Sequence, residues 1–165
     1  MAEWKDVESY IVCQGITDVS AKAKLPMLTV VQAQDKAGTL GMGEFIYAKG
    51  VASTAVGSVV TIDEVGVTAL AGANAVGKVG VAMAATVADT YGWYQISGKA
   101  VAKVATGFVD GKACFLTSTA GTIDDEVVAG DLIDGMIGRS AIGDPSAGMA
   151  YLELNRPLAD NVTET

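Results

Sequence analysis

From Gly43 onward, glycine and aspartate interrupt the chain at short intervals, and the runs between them are rich in Val, Ile, Thr, Tyr and Phe. That spacing is the pattern of an all-β sandwich or barrel, in which short strands alternate with tight turns. Strands are predicted at Glu44 to Lys49, Ser58 to Asp63, Val67 to Leu70, Lys78 to Ala85, Trp93 to Thr106, Ala113 to Thr119, Asp131 to Ala141 and Gly148 to Arg156. The fold class that follows is all-β, a compact antiparallel β-barrel or sandwich of about eight strands with an irregular N-terminal arm. Val109-Asp110-Gly111-Lys112 carries the Asp-Gly pair that a type I′ hairpin prefers, and Ala129-Gly130-Asp131 supplies a second Gly-led turn, so a meander of hairpins is expected. The segment with the clearest alternation is Gly98 to Val104, where Gly98, Ala100, Ala102 and Val104 fall on one face and Lys99 and Lys103 on the other.

Three segments divide the chain: an N-terminal arm and linker over 1–40, a β-domain over 41–158, and a solvated tail over 159–165. The first 35 residues show no strong period and no regular glycine turns, although they hold Trp4, Tyr10, Ile11 and Val12. A terminal segment of this kind is loose or is ordered by packing on a neighbour. The Ala/Gly/Val-rich stretch 65–88 is long enough to suggest a membrane span, but Asn74 and Lys78 sit inside it, so two buried strands joined by a turn explain it better.

Charge narrows the partners. The net charge is −8, carried as −2 over residues 1–35, +1 over 36–120 and −7 over 121–165, so the C-terminal third presents a negative face. This balance lacks the basic footprint that phosphate backbones require, and direct nucleic-acid binding is not expected. The start of the chain is acidic and amphipathic rather than basic then apolar, which argues against a secretory signal.

The chain contains no histidine, which removes Ser-His-Asp and Cys-His nucleophile activation, His-ligated zinc or haem, and histidine general bases. Cys13 and Cys114 stand about a hundred positions apart with no CxxC, and are read as two buried thiols. Gly72 to Lys78 matches the spacing of a phosphate-binding loop, but Val79 stands where a Ser or Thr is required, and KVGVAMAA reads as strand instead of the helix that would face the phosphate. Gly38-Thr39-Leu40-Gly41-Met42-Gly43 leads into an aromatic strand and is read as a linker. Asp124, Asp125 and Glu126, with Asp131 and Asp134 nearby, offer oxygens but no EF-hand spacing, so they are read as a solvated turn. No catalytic, cofactor or metal residues are assigned. A glycosidase-like carboxylate pair is the only enzymatic option with enough candidates, and nothing sets two acids opposite each other.

What remains are large side chains suited to protein contact. Tyr91, Trp93 and Tyr94 hold three of the ten aromatics within four positions, with Tyr91 and Trp93 on one face of a strand and Tyr94 on the other. Such a cluster closes a barrel end or anchors a protein contact. The candidate interface residues are Trp4, Tyr10, Ile11, Tyr91 and Trp93.

Taken in order, GEFIYAKGVASTAVGSVVTID, GKVGVAMAATVADTYGWYQISGKAVAKV and GTIDDEVVAGDLIDGMIGRSA resemble the small, β-tulip-like decoration (cement) proteins of tailed-phage heads over roughly residues 40–158. The shared parts are a strand-turn phrase of the form EYxYxKG…A…AGxVV, a central YGWYQxxGKA segment and a late VxAGDxV turn. The resemblance implies a non-enzymatic virion protein, made in the host bacterial cytoplasm. It would bind the outer capsid surface as a homotrimer or homodimer and bridge subunits of the major capsid protein lattice, with no cofactor and no membrane. The arm from Trp4 to Val12 is then expected to lie across a neighbouring subunit, each large side chain contributing about 1.5–3 kcal/mol before ordering costs. A self-assembling or adhesive β-module, such as a head-fibre base, is the alternative of a different class.

Overall fold

A computed structural model describes residues 4–6 and 13–161 of the 165, and these residues form strands, turns and loops without a helix. The strands are β1 (Trp4–Asp6), β2 (Val30–Asp35), β3 (Met42–Lys49), β4 (Val59–Ile62), β5 (Thr68–Leu70), β6 (Gly77–Ala82), β7 (Tyr91–Lys103), β8 (Ala113–Leu116), β9 (Ile123–Asp124), β10 (Leu132–Gly138) and β11 (Met149–Ala159). All strand pairings are antiparallel and join the strands into one sheet in the order β1-β2-β3-β7-β6-β11-β10-β8-β9, with β4 pairing β5 and β6 off this path. The all-β expectation therefore holds, and each of the eight predicted strands is present. No helix here is long and apolar enough to cross a membrane, and the 65–88 stretch divides into β5, a turn and β6.

The order is not the expected meander. Consecutive strands do pair at β1–β2, β2–β3, β4–β5, β6–β7, β8–β9 and β10–β11, but β3–β7, β6–β11, β7–β11 and β8–β10 join strands distant in sequence. β9 comes back to the chain just after β7 through a parallel bridge between Val104 and Ile123, where the Ala105 N–H donates to Ile123 O at 2.8 Å. That return curls the second half of β7 with β11, β10, β8 and β9 around the largest core, which includes Val79, Ala100, Ala102, Leu116, Ile133, Met136 and Leu152. Ala100, Ala102 and Ala150 are fully buried, so small side chains, not rings, fill the space between closely spaced strands.

β7 is the spine of the fold and changes partner along its length. Tyr91 to Ser97 pair with β3, and Ser97 to Lys103 pair with β11. The break falls at Gly98, whose φ of +88° is a conformation that other residues rarely adopt. Gln95 braces the bend, its Nε2 donating to the carbonyls of Ser97 and Lys99 at 3.0 Å each. The alternation read from the sequence is present beyond the bend, with Ala100, Ala102 and Val104 buried.

Residues 13–40 are part of this fold and not a separate arm and linker. β2 has the burial pattern of a strand with one wet face, burying Val31, Ala33 and Asp35 while Val30, Gln32 and Gln34 stay exposed. Ile16, Val31 and Ala33 pack with Phe45, Tyr47 and Trp93, and Leu25 and Met27 border the same cluster. On the opposite face of β3 and β7, Ile46, Ala48, Tyr94 and Ile96 meet Val60 and Ile62 of β4. The N-terminal segment is therefore the layer that covers β3 and β7, and it explains why those strands are buried on both faces. Gln14 fastens it: Nε2 donates to the carbonyls of Asp18 at 2.8 Å and Tyr91 at 2.9 Å, and Oε1 accepts from the Tyr47 hydroxyl at 2.9 Å.

Three smaller expectations are also corrected. Residues Gly38 to Gly43 are the end of the β2–β3 hairpin, not a linker, and buried Asp35 organises it by accepting the N–H groups of Ala37 at 3.1 Å and Leu40 at 2.9 Å. The Asp110-Gly111 turn joins β7 to β8, which do not pair, and of its two residues only Gly111 has positive φ, so it is no type I′ hairpin. At the C-terminus β11 continues through Leu158 to buried Ala159, because both residues pair with β6.

Candidate interaction surface

The five residues proposed for protein contact separate. Trp93 is 1 % exposed, and its indole N–H donates to Gln14 O at 3.1 Å, so it belongs to the chain's own core and is not an interface residue. Tyr91 is half-buried, stacked on Tyr47 with ring centroids 6.4 Å apart. Tyr94 faces the other side of the strand, as its parity requires. Trp4 is half-buried in β1, edge-on to Phe45 at 4.8 Å, in a strand held to β2 by three residue pairs, Trp4–Asp35, Lys5–Gln34 and Asp6–Ala33. Its indole N–H is buried without a hydrogen-bond partner among the described residues, and Trp4 lines a cleft of about 460 Å³ together with Gln95, Met149 and Tyr151. Tyr10 and Ile11 lie outside the described residues.

The motifs with chemical associations are absorbed into the fold. Gly72 to Lys78 is a turn into β6, with Asn74 at φ +60° and Gly77 at +133°, and no helix begins there. Among the described residues all nine buried polar or charged ones are engaged: Gln14, Asp35, Thr54, Ser58, Thr68, Thr86, Gln95, Asp131 and Ser140 each bond to backbone. Among the described residues no three acidic or thiol side chains converge as they must to hold a metal ion.

The two thiols differ. Cys114 is buried and its pKa is pushed up to about 12, first by burial and then by the charge of Asp125, whereas Cys13 is exposed and the expectation of two buried thiols fails there. The reason is positional, since Cys13 precedes the packed stretch that begins at Gln14. A thiol reagent at neutral pH is expected to label one site in the native protein and two after denaturation; rapid labelling of both in the native state would refute this burial.

On the outer face of β3, Glu44 accepts a two-pronged contact from Arg156, Nε to Oε2 at 3.1 Å and Nη2 to Oε1 at 3.3 Å, with Gln32 adding a longer bond. The Arg156 hydrogen bond is the main cause holding the Glu44 carboxyl below its ordinary value of 4.5. A carboxyl depressed in the folded state contributes stability that is present above the unfolded pKa and is lost as the pH falls through the folded one. Arg156→Ala is expected to raise the Glu44 titration midpoint, followed by NMR, towards 4.5. Because the pair lies at the surface, neutral-pH stability is expected to change little.

The acidic turn read from the sequence sits at one end of the barrel, where it meets two other segments. The Asn74 N–H donates to Asp131 Oδ1 at 2.5 Å, and Gly77 and Lys78 pair with Ala159 and Leu158. A groove of about 660 Å³ lies there, lined by residues of the 104–106 and 116–122 segments, by Ala73 of the 72–76 turn and by Asp124, Glu126, Val128 and Asp131. The Asn74–Asp131 contact spans 57 positions, and no local pattern announces it. The sequence signals that fall there are the acidic triplet Asp124 to Glu126, the Gly72 to Lys78 turn and the Ala129-Gly130-Asp131 turn. Compared with family models, with curated proteins and with solved structures, the chain matches none.

Proposed function

We propose that this chain is a non-enzymatic virion structural protein that binds the outer surface of an assembled phage capsid and stabilises it by bridging major capsid protein subunits. The reading starts from the resemblance of its β3–β4, β6–β7 and β9–β10 segments to head decoration proteins. The observation that carries it further is where the unspent groups lie. The nine buried polar or charged residues among those described all bond to backbone, while large apolar side chains stand exposed at loop tips, among them Val65, Val76, Val87 and Val127. A domain that spends its interior on its own stability and leaves apolar contacts outside is suited to binding other proteins. Many copies on one lattice add avidity, so each contact need only be modest. In this reading the protein is made in the host cytoplasm and acts on the capsid exterior as a small homo-oligomer.

The arm takes a different form from the one expected. β1 lies on this chain's own β2, so the part of the arm left for a neighbouring subunit is residues 7–12, which lie outside the described residues. The test is co-sedimentation of the purified protein with expanded, undecorated phage heads, alongside light scattering of the protein alone. Saturable binding at a fixed copy number per capsomer, with a defined small oligomer in solution, is the expected result. Indifference to the heads, or polymerisation of the protein alone, would overturn the reading in favour of a self-assembling module.

A further inference from the structure

We propose that the acidic end of the barrel is a docking surface for a protein whose contact patch has an apolar centre ringed by Lys and Arg. On the reading above, which this inference deepens and rests on for the partner's location, that patch belongs to the capsid shell. Three segments distant in sequence build the surface. The 72–76 turn is tied to the 124–131 loop through Asn74 and Asp131, and to the end of β11 through the Gly77–Ala159 pair. Gly130 abuts Asn161 so closely that an added Cβ would lie 2.6 Å from Asn161 Oδ1.

Two properties coincide on this surface. The first is exposed apolar area that the chain leaves uncovered: Val127 is 79 % exposed, Val76 63 %, Leu158 45 % and Val128 43 %. The second is negative charge gathered in a groove and not spread over a convex face. Asp124 and Glu126 border it with the hydroxyl-bearing Thr119 and Thr122. Asp131 lines it too, although only 3 % exposed, and accepts the Asn74 N–H. Carboxylates gathered in one groove favour charge-assisted N–H donors, which Arg and Lys supply. Val128, which lines the groove, and its exposed neighbour Val127 exclude water from such a contact once a partner's apolar surface covers them. Phosphate-bearing partners are repelled by the same carboxylates. Val65 and Val87 are as exposed as Val76 but lie away from this groove, and they serve as controls.

The experiment uses the full-length, ¹⁵N-labelled protein and an amphipathic Lys/Leu peptide as probe, with a Gln/Leu peptide of the same pattern as control. Amide shifts confined to residues 73–76, 124–131 and 158–161 are expected with the Lys/Leu peptide only. Affinity should fall about tenfold between about 50 mM and about 300 mM NaCl, as screening of exposed charges requires. Asp124→Asn with Glu126→Gln should remove that salt dependence, and Val127→Ser should weaken binding severalfold, whereas Val65→Ser and Val87→Ser should leave it unchanged. Shifts scattered over the surface, equal binding of the Gln/Leu peptide, or the same shifts given by Ca²⁺ alone would overturn the proposal. The same variants assayed on undecorated heads separate the two ideas. If the wild-type protein ignores the heads while the peptide maps to this end, the capsid reading falls and the docking surface stands. If the heads bind wild type and the acidic-end variants equally, the docking surface falls and the capsid reading stands.

Discussion

Gly98→Ala is expected to lower the stability of the protein by about 2–6 kcal/mol, the sum of two separate costs. Holding a residue with a Cβ at φ +88° stores strain of about 1–3 kcal/mol. The added carbon would also run into Met42 O, with Gly43 Cα and Met42 C behind it at 3.2 and 3.3 Å. These are backbone atoms of β3, so no side-chain rotation relieves the overlap. β3 must shift away from β7, and the accommodation of one extra carbon in a packed site costs about 1–3 kcal/mol more. Gly111→Ala isolates the first cost, because Gly111 has φ +75° and nothing within 4 Å of an added Cβ. Urea denaturation followed by circular dichroism should show a much larger loss of midpoint for Gly98→Ala than for Gly111→Ala. Equal losses would mean that β3 and β7 are not in the close contact described.

The same bend marks the limit of what the sequence made legible. Alternation of Ala100, Ala102 and Val104 with Lys99 and Lys103 identifies the second half of β7, because a strand with one wet face writes its burial into every other residue. The first half, YGWYQIS, is buried on both faces and carries no such alternation, so nothing local indicates that β3 and β11 take turns as its neighbours. β2 was missed for a different reason. VVQAQD does alternate, but its inward positions are Val31, Ala33 and Asp35, and an aspartate among them disguises the pattern until its carboxylate is seen capping the hairpin. β1 and β9, of three and two residues, are too short to show a period at all. For the acidic end, the charge of the C-terminal third is plain in the sequence. The groove is not, since it depends on the 72–76 turn arriving beside a loop more than fifty residues later.

Trp93→Ala is expected to cost about 3–5 kcal/mol, the usual range for emptying a fully buried aromatic site, and its location makes the upper part of that range the expectation. Trp93 lies between the N-terminal layer and β3, with Tyr47 edge-on at 5.0 Å and Ile16, Val31 and Ala33 in the same cluster. Its removal leaves a cavity bounded by strands that pair on both sides and are not free to collapse. It also removes the donor to Gln14 O, the residue that fastens the segment 13–28 over the sheet. For a domain of this size the loss corresponds to a fall in melting temperature of about 6–20 °C. Trp93→Phe keeps a ring in the site but not the indole N–H, and should cost less than half as much. The pair also separates a core role from an interface role. A tryptophan that served mainly as an external anchor would leave the melting temperature nearly unchanged when cut to alanine and would lower only partner binding. The burial described here requires the reverse: whatever binding Trp93→Ala loses should return when the assay is run well below its lowered melting temperature.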